Sequence, residues 1–366
     1  MRILLLSAYH SASHRYWCEG LMAAMPKVEW TLKTQPARHF SWRIRASGCI
    51  WGLADDPDFD RDYDLIIATS LTDVVNLKAH RPALRDTPLW LYFHENQFAH
   101  PLSDRQWESH QQGWQFQSMQ NAFLADHISF NTTFNFDSFI AGARSLLKKF
   151  PEKLPGRPLD RIIERADVLP VPLTERFRAF YNEPKRAKRI IWNHRWEWDK
   201  QPKVFLDALI ALHREGFDFE LAMLGSGSGR APYAFREEAD ILSDHLIHWG
   251  EADEDRYAGF IRSADIGVSA ALHDFQGLAM LELAQAGATV VVPRRVAYPE
   301  VLPGACFYAG APDDPERDTA NLKTALAEAL TADRRRQIDP SRLPTWEHFQ
   351  ANYRERIEKL SASPSD

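Results

Sequence analysis

The sequence SAALHDFQGLAMLELAQAGATVVVPRRVAYPE, residues 269–300, decides the fold of the half of the chain in which it stands. The short apolar run before it, from Ile266 to Val268, predicts a buried strand that leads into a polar loop. The loop ends at Gly277, and the apolar pattern from Leu278 onward predicts a helix. Buried strands that alternate with helices are typical of an α/β protein with a doubly wound parallel sheet.

The turn between this strand and this helix has the composition of a nucleotide-sugar site. The N–H groups in the first turn of a helix are unpaired and favour phosphate, which assigns a phosphate to Gly277, Leu278 and Ala279. Asp274 and Glu282 are carboxylates that suit sugar hydroxyls, as an acidic residue does on ribose in nucleotide-binding folds. An ordinary strand–loop–helix unit with surface acids explains the spacing equally well.

Composition indicates an ordinary globular chain with room for two domains. It has 366 residues, of which 45% are hydrophobic and 26% charged. The net charge of −6 lies after residue 170, because basic and acidic side chains balance before it, so no broad basic face is evident. The cysteines are scattered without a C-x-x-C, which indicates neither a zinc site nor a disulfide framework and fits the cytoplasm. The apolar start is too short for a signal peptide, and no apolar run approaches the ~18 residues of a membrane span.

The first half of the chain alternates apolar runs with helical patterns, which predicts a parallel sheet. The predicted strands are residues 3–7, 65–69, 89–93, 125–130 and 166–171. A polar, irregular stretch at 175–188 predicts the domain boundary. We therefore expect a first domain at 1–178, a second at 186–345, and a final helix at 346–366 that crosses back to the first.

Polar residues at the carboxyl ends of the predicted strands are candidates for a binding site, because ligands of parallel sheets bind there. A stretch at 35–48 also interleaves aromatic and basic residues, as a nucleotide or nucleic-acid contact does. The candidates in the first domain are Ser11, Ser13, His14, Trp42, Arg43, His94, Glu95, Asn96, Gln97 and Asn131. Capping or solvated side chains are the alternative explanation for each of them, and Ser13 and Thr132 are expected to cap the helices that follow.

The second domain opens with a strand followed by Arg195 and Lys200, two cations that suit a diphosphate facing a helix N-terminus. Gly225 begins a glycine-rich turn at 225–229 that half-matches a dinucleotide fingerprint. Arg230 replaces the third glycine, which argues against an NAD-dependent oxidoreductase and leaves a glycine turn near a nucleotide.

These residues resemble the family 4 retaining glycosyltransferases, which have the GT-B fold of two Rossmann-like domains facing a cleft. The donor pattern acid-x-Phe-Gly-x-x-x-x-Glu of that family corresponds to Asp274-Phe275-Gln276-Gly277 and Glu282, with Asp for the first Glu and Gln276 where Phe usually stands. Arg195 and Lys200 match its Arg-x-x-x-x-Lys, and His94 falls where the family keeps a histidine at the cleft.

A narrower resemblance covers nearly the whole chain. The segments SASHRYW, HFSWRIR, LYFHENQFAHP, FNTTFNFDSF, NHRWEWDK and HDFQGLAMLE are similar to the glycosyltransferase-like family that includes the tRNA-queuosine α-mannosyltransferases. That resemblance implies transfer of mannose from GDP-mannose to queuosine in the anticodon of tRNA-Asp, with retained configuration and no metal or other cofactor. The first segment has Ser11-Ala12 where the family usually has Gly-Gly.

The resemblance also implies the part that each residue has. Arg195, Lys200 and the helix start would stabilise the leaving diphosphate, Glu282 would hold the ribose, Asp274 the donor sugar, and His94 would lie against that sugar. Two alternatives stay open: a saccharide, lipid or small-molecule acceptor for the same chemistry, and a nucleotide-sugar-binding protein without catalysis.

Overall fold

The chain divides into two compact units. The structure is a computed structural model that describes residues 1–101, 108–178, 185–225 and 232–362. Unit 1 comprises Met1–Pro172 together with Pro344–Asp366, and unit 2 comprises Leu173–Leu343. The last helix of the chain is therefore part of unit 1.

Strands and helices alternate through both units. The strands are β1 (Arg2–His10), β2 (Glu29–Pro36), β3 (Leu65–Thr69), β4 (Leu89–Phe93), β5 (His127–Phe130), β6 (Ala166–Val168), β7 (Arg189–Trp192), β8 (Glu220–Met223), β9 (Leu246–Trp249), β10 (Ile266–Val268), β11 (Thr289–Pro293) and β12 (Cys306–Tyr308). The helices are α1 (Ala12–Ala24), α2 (Phe40–Gly52), α3 (Val74–His80), α4 (Glu108–Leu124), α5 (Thr133–Leu147), α6 (Pro158–Glu164), α7 (Pro202–Arg214), α8 (Arg236–Ile241), α9 (Glu254–Ser263), α10 (Leu278–Gln285), α11 (Tyr298–Val301), α12 (Pro315–Thr331) and α13 (Trp346–Ser361).

Each unit has one six-stranded sheet whose strands are all parallel. The order in unit 1 is β2-β1-β3-β4-β5-β6, and the order in unit 2 is β12-β11-β10-β7-β8-β9. In each sheet, successive strands are added first towards one edge and then towards the other. This switch in strand order falls between β1 and β3 in unit 1 and between β7 and β10 in unit 2. In open α/β sheets this reversal leaves a crevice at the carboxyl ends of the two strands, and ligands bind there.

The central strands follow from their composition. Every residue of β3, β4 and β5 is buried, as continuous apolar runs are in parallel sheets covered on both faces. The predicted strands at 65–69 and 89–93 are confirmed, whereas those at 125–130 and 166–171 are shorter in the structure. Strand β2 and helix α2 were not predicted.

The helix starts in unit 1 confirm one predicted cap and correct the other. Thr132 caps α5, because its hydroxyl accepts a hydrogen bond from the backbone N–H of Asn135. The prediction that Ser13 caps α1 was wrong, since the residue before that helix is Ser11, whose side chain makes no capping bond.

Helix α13 completes the core of unit 1. The hydroxyl of Tyr353 accepts a hydrogen bond from the indole of Trp17 at 3.0 Å and lies 3.2 Å from the hydroxyl of Tyr92 and 3.1 Å from the carbonyl of Pro170. All three aromatic side chains are fully buried. Among the described residues, no helix has the length and apolar character needed to cross a membrane.

Candidate active site

The loops after β7 and β10 are joined at the point where the strand order of unit 2 reverses. The backbone N–H of Leu272 donates to the carbonyl of Asp199 at 2.7 Å, which ties one loop to the other. Lys200 stands in the same place: its amine donates to the carbonyl of His273 at 2.6 Å and lies 3.4 Å from a carboxylate oxygen of Asp199. The Lys200 amine is also 3.8 Å from Oδ2 of Asp274. Lys200 and Asp274, two of the four charged residues expected at the donor site, are therefore neighbours.

Both oxygens of Asp274 are engaged within unit 2. Oδ1 accepts the backbone N–H of Gly277 at 2.9 Å, and Oδ2 accepts the hydroxyl of Tyr298 at 3.2 Å. Since that hydroxyl has one hydrogen, Ser269, whose Oγ is 2.8 Å away, donates to its oxygen. Burial raises the pKa of Asp274, but the charge of Lys200 and smaller contributions outweigh it, so the pKa lies below its usual value. The carboxylate is therefore ionised at neutral pH.

Helix α10 begins at Leu278, as predicted, and Gly277 is the residue before it. Gly277 has a φ of +73°, and a Cβ placed on it would lie 2.7 Å from the ring of Tyr298. Only glycine fits such a position without strain. The first-turn residues Leu278 and Ala279 follow directly, so the unpaired N–H groups of the helix begin beside Asp274.

Phe275 and Gln276, the remaining residues of the expected donor motif, are buried. The ring of Phe275 meets His273 edge-on, with ring centroids 4.3 Å apart. The side chains of Phe275 and Gln276 thus pack inside unit 2.

Glu282 belongs to a second cluster, which it forms with Tyr257 and Asn193. The hydroxyl of Tyr257 donates to Oε2 of Glu282 at 2.6 Å, and the amide of Asn193 donates to that hydroxyl at 3.0 Å and to the carbonyl of Ala279 at 3.1 Å. Burial raises the pKa of Glu282 to about 7, against the opposing effects of the Tyr257 hydrogen bond and the Arg176 charge. Glu282 therefore titrates near neutral pH.

Arg195 and Gly225 occupy different surroundings. Arg195 is exposed, and its guanidinium donates to the carboxylate of Glu197 at 2.8 Å. Gly225 is buried, and a Cβ on it would lie 2.1 Å from the carbonyl of His194, so glycine is required for this close approach. Its own carbonyl accepts the indole N–H of Trp196 at 2.8 Å. The rest of the glycine-rich turn, with Arg230, lies outside the described residues.

In unit 1, His94 packs against His14, with ring centroids 4.3 Å apart. The rings of Trp17 and Tyr92 meet His94 at 4.9 and 4.7 Å. Neither ring nitrogen of His94 has a hydrogen-bond partner within the described chain. Burial, with the His14 charge, holds the pKa of His94 well below its usual value, and burial lowers that of His14 also. Both imidazoles are therefore neutral at neutral pH.

The amides near His94 are used within unit 1. Asn131 donates to the carbonyl of His94 at 2.8 Å, and its oxygen accepts the amide of Asn135 at 2.8 Å. Asn96 donates to Oδ1 of Asn135 at 2.8 Å and accepts the backbone N–H of Phe98 at 2.9 Å. These amides fix the loops that follow β4 and β5.

The remaining candidates in unit 1 differ in exposure. Ser11 and Ser13 have their hydroxyls 3.2 Å apart, Glu95 is half-buried, and Gln97 is buried. Arg43 donates to the side chain of Gln35 at 3.2 Å, whereas Trp42 is 73% exposed.

Known protein families match the sequence of both units. Residues 2–173 match the family model described as tRNA-queuosine alpha-mannosyltransferase N-terminal, and residues 187–330 match that of Glycosyl transferases group 1. A tRNA-queuosine alpha-mannosyltransferase of Drosophila melanogaster is 28% identical over 316 residues, which is 84% of this chain and 83% of that protein. The chain is a glycosyltransferase, and its N-terminal half is similar to the tRNA-queuosine alpha-mannosyltransferases.

Several solved structures share the fold of this chain. Sucrose-phosphate synthase from Thermosynechococcus elongatus superposes with a TM-score of 0.68 at 13% identity, over 100% of both chains. Anabaena HepE in complex with UDP gives 0.60 at 13% identity, over 99% of this chain and 97% of the other. A glycosyltransferase from Rickettsia africae ESF-5 gives 0.64 at 11% identity, over 99% of each. The predicted GT-B fold is confirmed.

The protein is a hexosyltransferase, which confirms the prediction of an enzyme over that of a non-catalytic binding protein. No group of three or more His, Cys, Asp or Glu in the described ranges could hold a metal ion. The expectation that the reaction needs no metal or other cofactor stays a prediction.

Sequence analysis missed the residues that hold the two carboxylates. Tyr298 stands in the stretch quoted at the outset, but only the folded chain brings it to Asp274. Asn193 directly follows β7, so its polar side chain at a strand end was a usable signal. Tyr257 comes from α9 and carried no such signal.

Proposed function

We propose that the protein transfers mannose from GDP-mannose to queuosine in the anticodon of tRNA-Asp, with retention of configuration. The observation that carries this proposal is the match of residues 2–173 to the N-terminal model of tRNA-queuosine alpha-mannosyltransferases. The proposed acceptor is supported further by the Drosophila melanogaster tRNA-queuosine alpha-mannosyltransferase, which matches over 84% of this chain. We place the reaction in the cytoplasm.

In the donor half, we assign the diphosphate to Lys200, Arg195 and the first turn of α10. The amine of Lys200 is fixed by a carbonyl and two carboxylates, so its charge is oriented before the donor binds. Negative charge develops on the leaving diphosphate during transfer, and pre-positioned cations and N–H groups stabilise it. The guanidinium of Arg195 is exposed, and its one acidic partner among the described residues is Glu197, so it can turn to the phosphate. Gly225 would let the backbone approach the nucleotide.

We assign the two carboxylates of unit 2 to hydroxyl groups of the donor. Glu282 has Oε2 occupied by Tyr257, which leaves Oε1 for the ribose hydroxyls. Asp274 keeps 18% of its side chain exposed and is ionised, so it can accept a hydroxyl of the mannose. A carboxylate oxygen accepts more than one hydrogen bond, so the bond from Tyr298 does not close the site.

We assign His94 to the reacting sugar, as the resemblance to family 4 glycosyltransferases implies. Its ring is neutral, and packing against His14, Trp17 and Tyr92 fixes its orientation. The acceptor proton passes to the departing phosphate, so this route needs no acid–base pair of side chains.

The test is incubation of the purified protein with GDP-mannose and tRNA that contains queuosine, beside matched tRNA that lacks it. The tRNA is digested and its nucleosides are weighed by mass spectrometry. We expect a gain of one hexose on queuosine alone, at a rate unchanged by a metal chelator. No gain with tRNA-Asp and GDP-mannose, or equal transfer from UDP-glucose, would overturn the proposed acceptor or donor.

A further inference from the structure

Helix α2 carries an exposed face with an unusual combination of side chains. Trp42 is the most exposed tryptophan in the described part of the chain, at 73%. Arg38 and Arg45 are also exposed, and neither pairs with an acidic side chain among the described residues. Trp42 and Arg45 are three residues apart, so they share one face of the helix.

The charge around this face is of one sign. Residues 30–54 contain no Asp or Glu, although acidic and basic side chains balance over the first 170 residues. Lys33 is paired with Asp56 and Asp58, and Arg43 donates to Gln35. Arg38 and Arg45 are thus the cations of this stretch that are available to a polyanion.

The face is held rigidly. Phe40, the first residue of α2, meets the ring of Tyr9 at 5.4 Å and the ring of Trp114 at 5.2 Å, in both cases edge-on. His39 before it has a φ of +56°, a conformation that non-glycine residues seldom adopt, so packing fixes the turn. Arg45 extends over Gly113 of α4, where a Cβ would lie 2.0 Å from the guanidinium.

This face lies at the functional edge of the unit 1 sheet. Strand β2 pairs with β1 so that Pro36 is opposite His10, and α2 follows β2 just as α1 follows β1. The first turn of α2 is therefore at the carboxyl end of the strands, the edge at which His14 and His94 stand.

We propose that this face of α2 binds the unpaired anticodon loop of the acceptor RNA, with Trp42 stacked on a base and Arg38 and Arg45 on phosphates. Unpaired loops present base faces to aromatic side chains, and their phosphates present charge to arginine. The inference rests on the proposed function, because it takes an RNA to be the acceptor. It adds a surface that holds the anticodon loop through nucleotides other than the reacting queuosine.

The first test measures binding of the full-length protein to an unmodified anticodon stem-loop of tRNA-Asp that has 2-aminopurine in its loop. Trp42→Ala should weaken binding about tenfold or more, and Trp42→Phe should retain part of the affinity. Arg38→Ala and Arg45→Ala should each lower the slope of log K against log salt by about 0.7.

Leu53→Ala is the matched control, because Leu53 follows the same helix and is 74% exposed. It should bind the stem-loop as the unaltered protein does, and every variant should bind GDP-mannose normally. Unchanged stem-loop affinity in Trp42→Ala and in both arginine variants would overturn the inference.

A second readout separates this inference from the proposed function. If the unaltered protein adds a hexose to queuosine tRNA and Trp42→Ala has the same KM for that tRNA, only the α2 surface is wrong. If the unaltered protein modifies no tRNA, the proposed function fails first.

Discussion

At the scale of single residues, the carboxylate of Asp274 is oriented before a ligand arrives. A backbone N–H, a tyrosine hydroxyl and a lysine amine converge on its two oxygens. The hydrogen bonds from Gly277 and Tyr298 fix where the short aspartate side chain points. Single substitutions of Lys200 or Tyr298 therefore remove one contact of Asp274 at a time.

We expect Lys200→Ala to lower kcat/KM for hexose transfer by at least an order of magnitude. The substitution removes the cation assigned to the leaving diphosphate, and with it the charge that holds the pKa of Asp274 down. Lys203→Ala is the control, because that lysine is exposed in the next helix and pairs with Asp207. Steady-state kinetics decide the matter, and full turnover by Lys200→Ala would contradict the assignment.

Tyr298→Phe should raise the KM for the donor several-fold while costing about 1–3 kcal/mol of unfolding free energy, because Ser269 loses its buried partner. The matched control is Tyr308→Phe, since the buried hydroxyl of Tyr308 has no partner in the described part of the chain. Donor kinetics and urea unfolding of both variants give the measurement. Equal donor KM and equal unfolding free energy in the two variants would show that the hydrogen bond from Tyr298 to Asp274 contributes to neither.

Glu282 predicts a pH dependence of donor binding. Its pKa in the fold, about 7, lies above the ordinary glutamate value, so its buried charge lowers stability as pH rises from about 4.5 to 7. A ribose hydroxyl prefers the ionised carboxylate, so affinity for GDP-mannose should rise between pH 6 and 8 and then level. Calorimetry should show this rise in the unaltered protein and not in Glu282→Gln. His194, with a pKa of about 4 caused by burial, does not titrate in this range.

At the scale of elements, the start of α10 depends on one backbone conformation. Gly277→Ala should destabilise unit 2 and abolish measurable GDP-mannose binding, because a Cβ there is both strained and in contact with the ring of Tyr298. Gly216→Ala is the control for strain alone, as its φ is +84° and a Cβ meets nothing within 4 Å. Thermal unfolding and donor titration of both variants separate the two causes. Equal donor binding would mean that the helix start has no part in holding the diphosphate.

The sequence predicted α10 and its strand well because both signals are local. An apolar run, a glycine and a second apolar run give the strand, the turn and the helix, and the predicted start at Leu278 is confirmed. Strand β2 and helix α2 were missed because β2 is a partly exposed edge strand and because His39, the residue before α2, makes no side-chain capping bond. Contacts such as those of Tyr257 and Tyr298 depend on tertiary packing, which no local pattern reveals.

At the scale of the whole molecule, α13 supplies a buried hydroxyl to the centre of unit 1. Tyr353→Phe should lower the unfolding free energy by about 1–3 kcal/mol, because the Trp17 indole loses its acceptor. Hydrogen exchange should show faster opening of β1, β4 and β6 and unchanged protection in unit 2. Tyr308→Phe again serves as the control. Uniform loss of protection in both units would contradict a local role for this hydroxyl.

The return of the chain to unit 1 also affects the order in which the two units fold during translation. Domains made first are usually the first to fold. Here unit 2, which is one continuous segment, can finish while unit 1 still lacks Pro344 and the helix that follows. A nascent chain therefore exposes the aromatic surface that Tyr353 covers until α13 has been made, and a frameshift before Pro344 damages the unit whose synthesis began first.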